Sequence, residues 1–118
     1  MIYTSYFGNK HIPKEMHRRV IANSQPKGCN FKTELKLIPS WVLVSGYKNG
    51  SITPKEYAAE YTKQLDQINF SKLIEKYEDS ENDIVLLCWE SPEKFCHRHL
   101  LANYLNKKYG CHVKEYPY

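Results

Sequence analysis

The segment DIVLLCWESPEKFCHRHLLANYLNKKYG, residues 83–110, carries the clearest strand and helix pattern of the sequence. It opens with DIVLLCWE, a continuous apolar run of strand length between polar borders, which is typical of a strand covered on both faces in a parallel sheet. Its second half ends at Gly110, and glycine readily adopts the left-handed conformation that ends a helix. The two lysines before the glycine suit the negative end of the helix dipole. The segment therefore predicts a central strand and a helix from about Phe95 to Tyr109.

Shorter β-rich runs predict further strands. MIYTSYF has strand composition and is followed by Gly8 and Asn9, while RRVIAN and HVKEY predict a second and a last short strand. The last two strands of the chain and the helix between them form a βαβ unit, which indicates the α/β class. A length of 118 residues predicts one domain, residues 1–118.

Two helices are predicted before the central strand. Thr53, Pro54 and Glu56 supply a cap, a proline at the first helical position and a capping-box acid, so a helix runs from about Pro54 to Gln67. NFSKLIEKYEDS predicts the next helix. WVLVSGY is compatible with a strand or a helix, and the preceding Pro39 and Ser40 favour a helix.

Composition limits the classes of function. No stretch approaches the roughly 20 apolar residues that cross a bilayer, so a soluble protein with no membrane partner is expected. The N-terminal residues lack an export pattern, which predicts a cytoplasmic location, where the four cysteines are expected to be reduced thiols. The net charge of +4 mildly favours phosphate-bearing ligands. The basic residues are not as dense as in a segment dedicated to binding nucleic acid.

The strand and helix of residues 83–110 also concentrate chemically reactive side chains. In open α/β sheets ligands bind outside the carboxyl ends of the strands, where Cys88 and Glu90 are expected. The turn that follows should return Cys96, His97 and Arg98 to the same rim. The sequence therefore predicts a ligand site at this rim.

Each of these residues has a candidate role. Helix N-termini attract anions and lower thiol pKa values, so Cys96 or Cys88 is a candidate nucleophile. His97 or His99 would move a proton, Glu90 would orient groups or act as a base, and Arg98 would clamp an anion. Packed thiols and a hydrogen-bonded core histidine are the alternatives.

The exact start of the helix affects these roles. Ser91 followed by Pro92 offers an alternative cap and first helical residue, which would place Cys96 beyond the first turn, where the dipole effect fades. A third possibility is purely structural, with Arg98 and Glu90 forming a buried ion pair that fixes the rim.

Side chains of the first strand are further candidates. Tyr3, Ser5 and Tyr6 lie near the carboxyl end of that strand and are predicted to bind the ligand, with ordinary half-buried strand residues as the alternative. Alternation puts Tyr3 and Ser5 on one face and Tyr6 on the other.

No metal and no cofactor are assigned from the sequence. Cys88, Cys96, His97 and Glu90 are ligand types that suit zinc, but their spacing is not diagnostic. Neighbouring side chains on a helix point roughly 100° apart, so Cys96 and His97 are expected to diverge.

The segment LLCWESPEKFCHRHLLANYL resembles the signature of the domain of unknown function 488 family, with Cys88, Glu90, Cys96, His97 and Arg98 at the matching positions. YTSYFGN, LKLIPSW and YKNGSITPKEYAAEY also resemble its small phage and bacterial members. The resemblance implies a single α/β domain with a Rossmann-like three-layer arrangement and a mainly parallel short sheet. It identifies a site without naming a reaction, and the chain lacks the Asp-Val-Arg strand of longer members.

Two hypotheses about function follow. The first is a small enzyme-like domain that binds a phosphate- or nucleotide-bearing ligand at the Cys/Glu/His/Arg rim. The second is a non-catalytic module for nucleic acid or another partner, with the Cys-His-Arg cluster as an internal polar network. The oligomeric state is not indicated by the sequence.

Overall fold

The sheet is all parallel and has five strands. The computed structural model describes residues 1–118, with strands β1 (Ile2–Tyr6), β2 (His17–Val20), β3 (Lys32–Thr33), β4 (Ile84–Cys88) and β5 (Lys114–Glu115). The strands lie in the order β3-β2-β4-β1-β5, and each neighbouring pair is parallel. The α/β class and the Rossmann-like parallel arrangement are therefore confirmed.

The apolar run of residues 84–88 forms the central strand, as predicted. β4 lies between β1 and β2, and all five of its residues are buried. Its side chains alternate between two apolar clusters, with Ile84, Leu86 and Cys88 in the larger cluster and Val85 and Leu87 in the smaller. The parallel register sets Tyr6 beside Cys88, so the carboxyl ends of both strands share one rim.

Four α-helices accompany the sheet: α1 (Trp41–Lys48), α2 (Pro54–Leu65), α3 (Phe70–Glu78) and α4 (His97–Tyr109). Ser40 caps α1 by accepting the Leu43 N–H, which explains why WVLVSGY is helical. The predicted capping box of Thr53 and Glu56 is present on α2. None of these helices combines the length and apolar character that a membrane crossing requires.

The helices contribute their apolar stripes to the larger cluster. Tyr57, Tyr61 and Leu65 of α2 are all buried there, together with Leu101 and Leu105 of α4. On the opposite face the sheet is covered by Ile12 and Met16 from the segment between β1 and β2, with Tyr3, Phe31 and Tyr116 packed against them. The layer on that face is therefore built from loop side chains instead of helices.

The start of α4, the end of α2 at Leu65 and the presence of β3 differ from the sequence prediction. α4 begins at His97 with Cys96 as its N-cap, two residues later than predicted, and Ser91 and Pro92 do not start a helix. The Ser91 hydroxyl donates to Glu93 at 2.8 Å instead of capping, and the Lys94 N–H donates to the Ser91 carbonyl, which makes this segment a turn. β3 was not predicted because two residues carry no periodic signal.

Gly46 lets α1 pack closely against the chain that follows it. A Cβ atom at this position would lie 2.3 Å from Ile52 Cδ1. We expect Gly46→Ala to lower the free energy of unfolding by roughly 1–3 kcal/mol, because the overlap outweighs the higher helix propensity of alanine. Urea denaturation measures the change. Ser45→Ala on the same helix is the control, and an equal response of the two variants would contradict the packing explanation.

Candidate active site

Cys88, Cys96 and His97 converge where β4 ends and α4 begins. Cys88 is the last residue of β4, and the turn of residues 89–95 returns the chain so that Cys96 caps α4. The two sulfur atoms lie 2.7 Å apart, and Cys96 Sγ lies 3.7 Å from His97 Nδ1. The Glu90 carboxylate is 3.5 Å from the same sulfur. The four side chains predicted to be catalytic therefore form one cluster.

Arg98 lies behind this cluster and is completely buried. Its Nη1 donates to Cys88 Sγ at 2.9 Å and to the Glu90 carbonyl at 2.6 Å. Its Nε and Nη2 donate to the two carboxylate oxygens of Glu115 at 3.1 and 3.0 Å. Since a guanidinium has five N–H groups, these four bonds leave little capacity for an external anion. The ion-pair partner of Arg98 is Glu115, and Glu90 contributes its carbonyl oxygen.

The pKa values of the two thiols are shifted in opposite directions. Burial raises the pKa of Cys88, but the hydrogen bond from Cys96 and the charge and hydrogen bond of Arg98 outweigh it, and the net pKa is lowered. The hydrogen bond to Cys88, burial and the charge of Cys88 raise the pKa of Cys96. The pair therefore favours a thiolate at Cys88 and a thiol at Cys96.

His97 presents a neutral ring nitrogen to the Cys96 thiol. Its Nε2 contacts the Ile21 carbonyl, which only accepts hydrogen bonds, so Nε2 carries the hydrogen and Nδ1 is the acceptor facing Cys96. Burial lowers the pKa of His97 to about 4, although the Ile21 bond opposes this shift. The imidazole is therefore neutral near pH 7. His99, the alternative proton carrier, is half-buried and does not line the pocket described next.

A pocket of about 350 Å³ opens in front of the cluster. Glu90, Cys96 and His97 line it, whereas Cys88 and Arg98 do not. Lys48 and Lys94 also line it, and both are exposed. The remaining wall includes five aromatic side chains: Trp41, Tyr47, Tyr57, Trp89 and Phe95. The pocket therefore joins reactive groups at depth to aromatic walls and surface cations.

The candidates on β1 lie outside this pocket. Tyr3 packs edge-on against Tyr116, and Ser5 is fully buried and accepts a hydrogen bond from Asn9 at 3.0 Å. Tyr3 packs with the smaller apolar cluster, on the face of the sheet that Val85 and Leu87 share. Tyr6 lines a neighbouring depression. The structure therefore does not bring these three side chains to the Cys/Glu/His cluster.

Three of the clustered side chains could hold a metal ion. The ligand atoms of Cys88, Cys96 and His97 all lie within 4.8 Å of one another. The predicted divergence of Cys96 and His97 is wrong, because Cys96 is an extended cap residue with φ −151° and ψ 144° instead of a helical one. These three residue types suit zinc, and the nearby Glu90 carboxylate adds a further donor.

Several residues of the site were not identified from the sequence. Glu115 lies on β5, seventeen positions from its partner Arg98, and also accepts a hydrogen bond from Thr4 at 2.7 Å. An acidic residue within a predicted strand was the available signal, since carboxylates are rarely buried without a partner. The Ile21 carbonyl and the aromatic residues of α1 had no distinguishing local pattern.

The buried pair of Arg98 and Glu115 is predicted to stabilise the fold. We expect Glu115→Gln to lower the free energy of unfolding by about 3 kcal/mol, because it leaves a buried guanidinium without its counter-charge. Chemical denaturation measures the loss. Glu60→Gln breaks the exposed pair with Lys63 and should change stability by less than about 1 kcal/mol. Similar losses of stability in the two variants would show that the buried pair contributes no more to stability than the exposed pair.

The thiol pair is predicted to ionise in two separated steps. In a Cys29→Ser/Cys111→Ser background, one proton should leave below the ordinary thiol pKa of about 8.5, and the second well above it. Thiolate ultraviolet absorbance follows the first step, below the range of tyrosine ionisation near about pH 10. Adding Cys88→Ser should remove the early step. Ionisation of both thiols together near the ordinary value would contradict the assignment.

Comparison with known proteins places this geometry in a family. The family model described as "DUF488-N3a: Active DUF488-N3 subclade" matches residues 2–109, which include the whole cluster but not Glu115. Searches of curated proteins and of solved structures found no match. Because the match covers most of the chain, the resemblance seen in the Cys-x-Glu and Cys-His-Arg motifs is confirmed, and the protein belongs to the DUF488 family.

Proposed function

We propose that this protein is a cysteine-dependent enzyme that acts on a nucleotide. The observation that carries the proposal is the composition of the 350 Å³ pocket, which combines a thiol and an imidazole at depth with aromatic walls and exposed lysines. Apolar pockets with a few convergent polar groups are the usual form of small-molecule sites. The description of the family subclade as active supports an enzyme over a purely structural domain.

The walls and the charges of the pocket suit different parts of a nucleotide. Bases stack on aromatic side chains, and Tyr47, Tyr57 and Phe95 form a group of rings whose centroids lie 4.9 to 5.9 Å apart. Lys48 and Lys94 would meet the phosphate near the surface. In this proposal the lysines bind the anion, and Arg98 keeps its buried role.

Cys96 is the proposed nucleophile because its side chain lines the pocket, whereas Cys88 lies behind it. As Cys96 Sγ forms a bond to an electrophilic carbon of the ligand, its proton passes to the Cys88 thiolate 2.7 Å away. The leaving group departs with the electron pair of its bond to that carbon and takes a proton from solvent at the open side of the pocket, since Nδ1 of neutral His97 and the Glu90 carboxylate carry none. Arg98 stabilises the Cys88 thiolate before the proton arrives and fixes its position.

Ligand binding can be followed by fluorescence, because Trp41 and Trp89 are the only tryptophans and both line the pocket. We expect nucleoside monophosphates to quench this emission, and Lys48→Gln or Lys94→Gln to weaken binding about threefold or more, less so at high salt. Lys107→Gln, on the last turn of α4, is the matched control. If no common nucleotide alters the emission, the proposal is wrong.

The chemical role of Cys96 has a separate readout. Cys96→Ser should still bind the nucleotide, but it should not form the cysteinyl adduct that mass spectrometry detects in acid-quenched wild-type protein. Cys29→Ser is the matched control and should retain the adduct. Two results would replace this mechanism: a stoichiometric bound metal in the purified protein, or salt-dependent binding of nucleic acid without any thiol reactivity.

A further inference from the structure

The wall formed by Trp89, Glu90 and Lys94 has a second side. These three residues line the main pocket, and they also line a neighbouring, more open depression together with Tyr6, Phe7 and Pro26. The two hollows are therefore adjacent and share one partition. A ligand in the main pocket would have to extend across Trp89 and Lys94 to enter the second depression.

The partition is held in place by contacts on several sides. The Trp89 indole N–H donates to the Ser24 carbonyl at 3.2 Å, and the Ser24 hydroxyl lies at the same distance. The Phe7 ring packs against the indole edge-on with centroids 4.9 Å apart. Trp89 nevertheless remains 49% exposed, so its ring keeps surface for a ligand.

Tyr6 gives the second depression an aromatic surface of its own. Its ring lies over Gly8 so closely that a Cβ atom there would be 3.1 Å from Tyr6 Cε2. Tyr118 packs edge-on against the same ring, with centroids 6.3 Å apart. The absence of a side chain at Gly8 therefore allows the Tyr6 ring to lie over the backbone, and Tyr6 and Trp89 both line the second depression.

Charge is distributed unequally along the partition. The Glu90 carboxylate is directed towards Cys96, 3.5 Å away, on the reactive side. Lys94 is exposed and is the cation that both hollows share. Lys94 thus lies between two hollows that each have aromatic walls, an arrangement that suits two planar rings joined by an anionic link.

From this arrangement we infer that the substrate contains two nucleosides joined by phosphate, with the first base in the main pocket, the second against Tyr6 and the linking phosphate at Lys94. The inference rests on the proposed function and narrows its substrate class. The same chemistry occurs in a free dinucleotide and in consecutive residues of a single strand, and the link between the nucleosides distinguishes them.

The test compares ligands of matched base. Adenosine monophosphate is titrated against adenylyl adenosine, which has a phosphodiester link, and against diadenosine diphosphate, which has a pyrophosphate link; the corresponding series is repeated for the other common bases. Tryptophan emission reports binding. At least one linked compound should bind about tenfold or more tightly than its mononucleotide, since a stacked base contributes that much. The preferred link indicates a strand or a free dinucleotide.

Variants assign the gain to the second depression. Tyr6→Ala should remove most of the advantage of the linked compound over the mononucleotide. Tyr3→Ala, on the same strand but outside both hollows, should keep it. Mononucleotide binding with no gain from the second nucleoside, or a gain that survives Tyr6→Ala, overturns this inference and leaves the proposed function intact. If no compound binds, both are wrong.

Discussion

The buried guanidinium of Arg98 is the interaction on which the site depends. Its bonds reach the end of β4 through Cys88, the following turn through the Glu90 carbonyl, and β5 through the Glu115 carboxylate. A charge without solvent contact is tolerated only when fixed acceptors replace water. These three segments must therefore meet in one geometry, and that geometry places Cys88 beneath Cys96.

The same cation determines how charge is shared at the base of the pocket. With Arg98 beside it, Cys88 has the lower proton affinity of the two sulfurs, and Cys96 keeps its proton on the side open to ligand. His97 is held neutral by burial and oriented by the Ile21 carbonyl. The cluster thus separates a thiol behind the pocket, which has the lower pKa, from a thiol that lines the pocket, a division that two equivalent surface thiols would lack.

Sequence patterns predicted the elements that have strong local signals. The apolar run of β4, the capping box of α2 and the Gly110 end of α4 each carry their own physical signature, and each appears in the structure. The start of α4 was predicted two residues early, at Phe95, and the alternative start at Ser91 and Pro92 is wrong because the Ser91 hydroxyl bonds to the Glu93 side chain instead of capping a helix. The partner of Arg98 was missed because an ion pair between a helix and a separate strand leaves no trace in residue spacing.

β5 is an edge strand of two residues, and it carries the carboxylate that pairs with buried Arg98. It pairs Lys114 and Glu115 with Tyr3 and Thr4, and the Tyr116 N–H donates to the Thr4 carbonyl just beyond the strand. Opening of such a short edge strand breaks few backbone hydrogen bonds. It nevertheless removes both carboxylate oxygens of Glu115 from the Arg98 guanidinium at the same time. Transient opening of the edge strand is therefore coupled to the charge that Arg98 presents to the two sulfur atoms inside the protein.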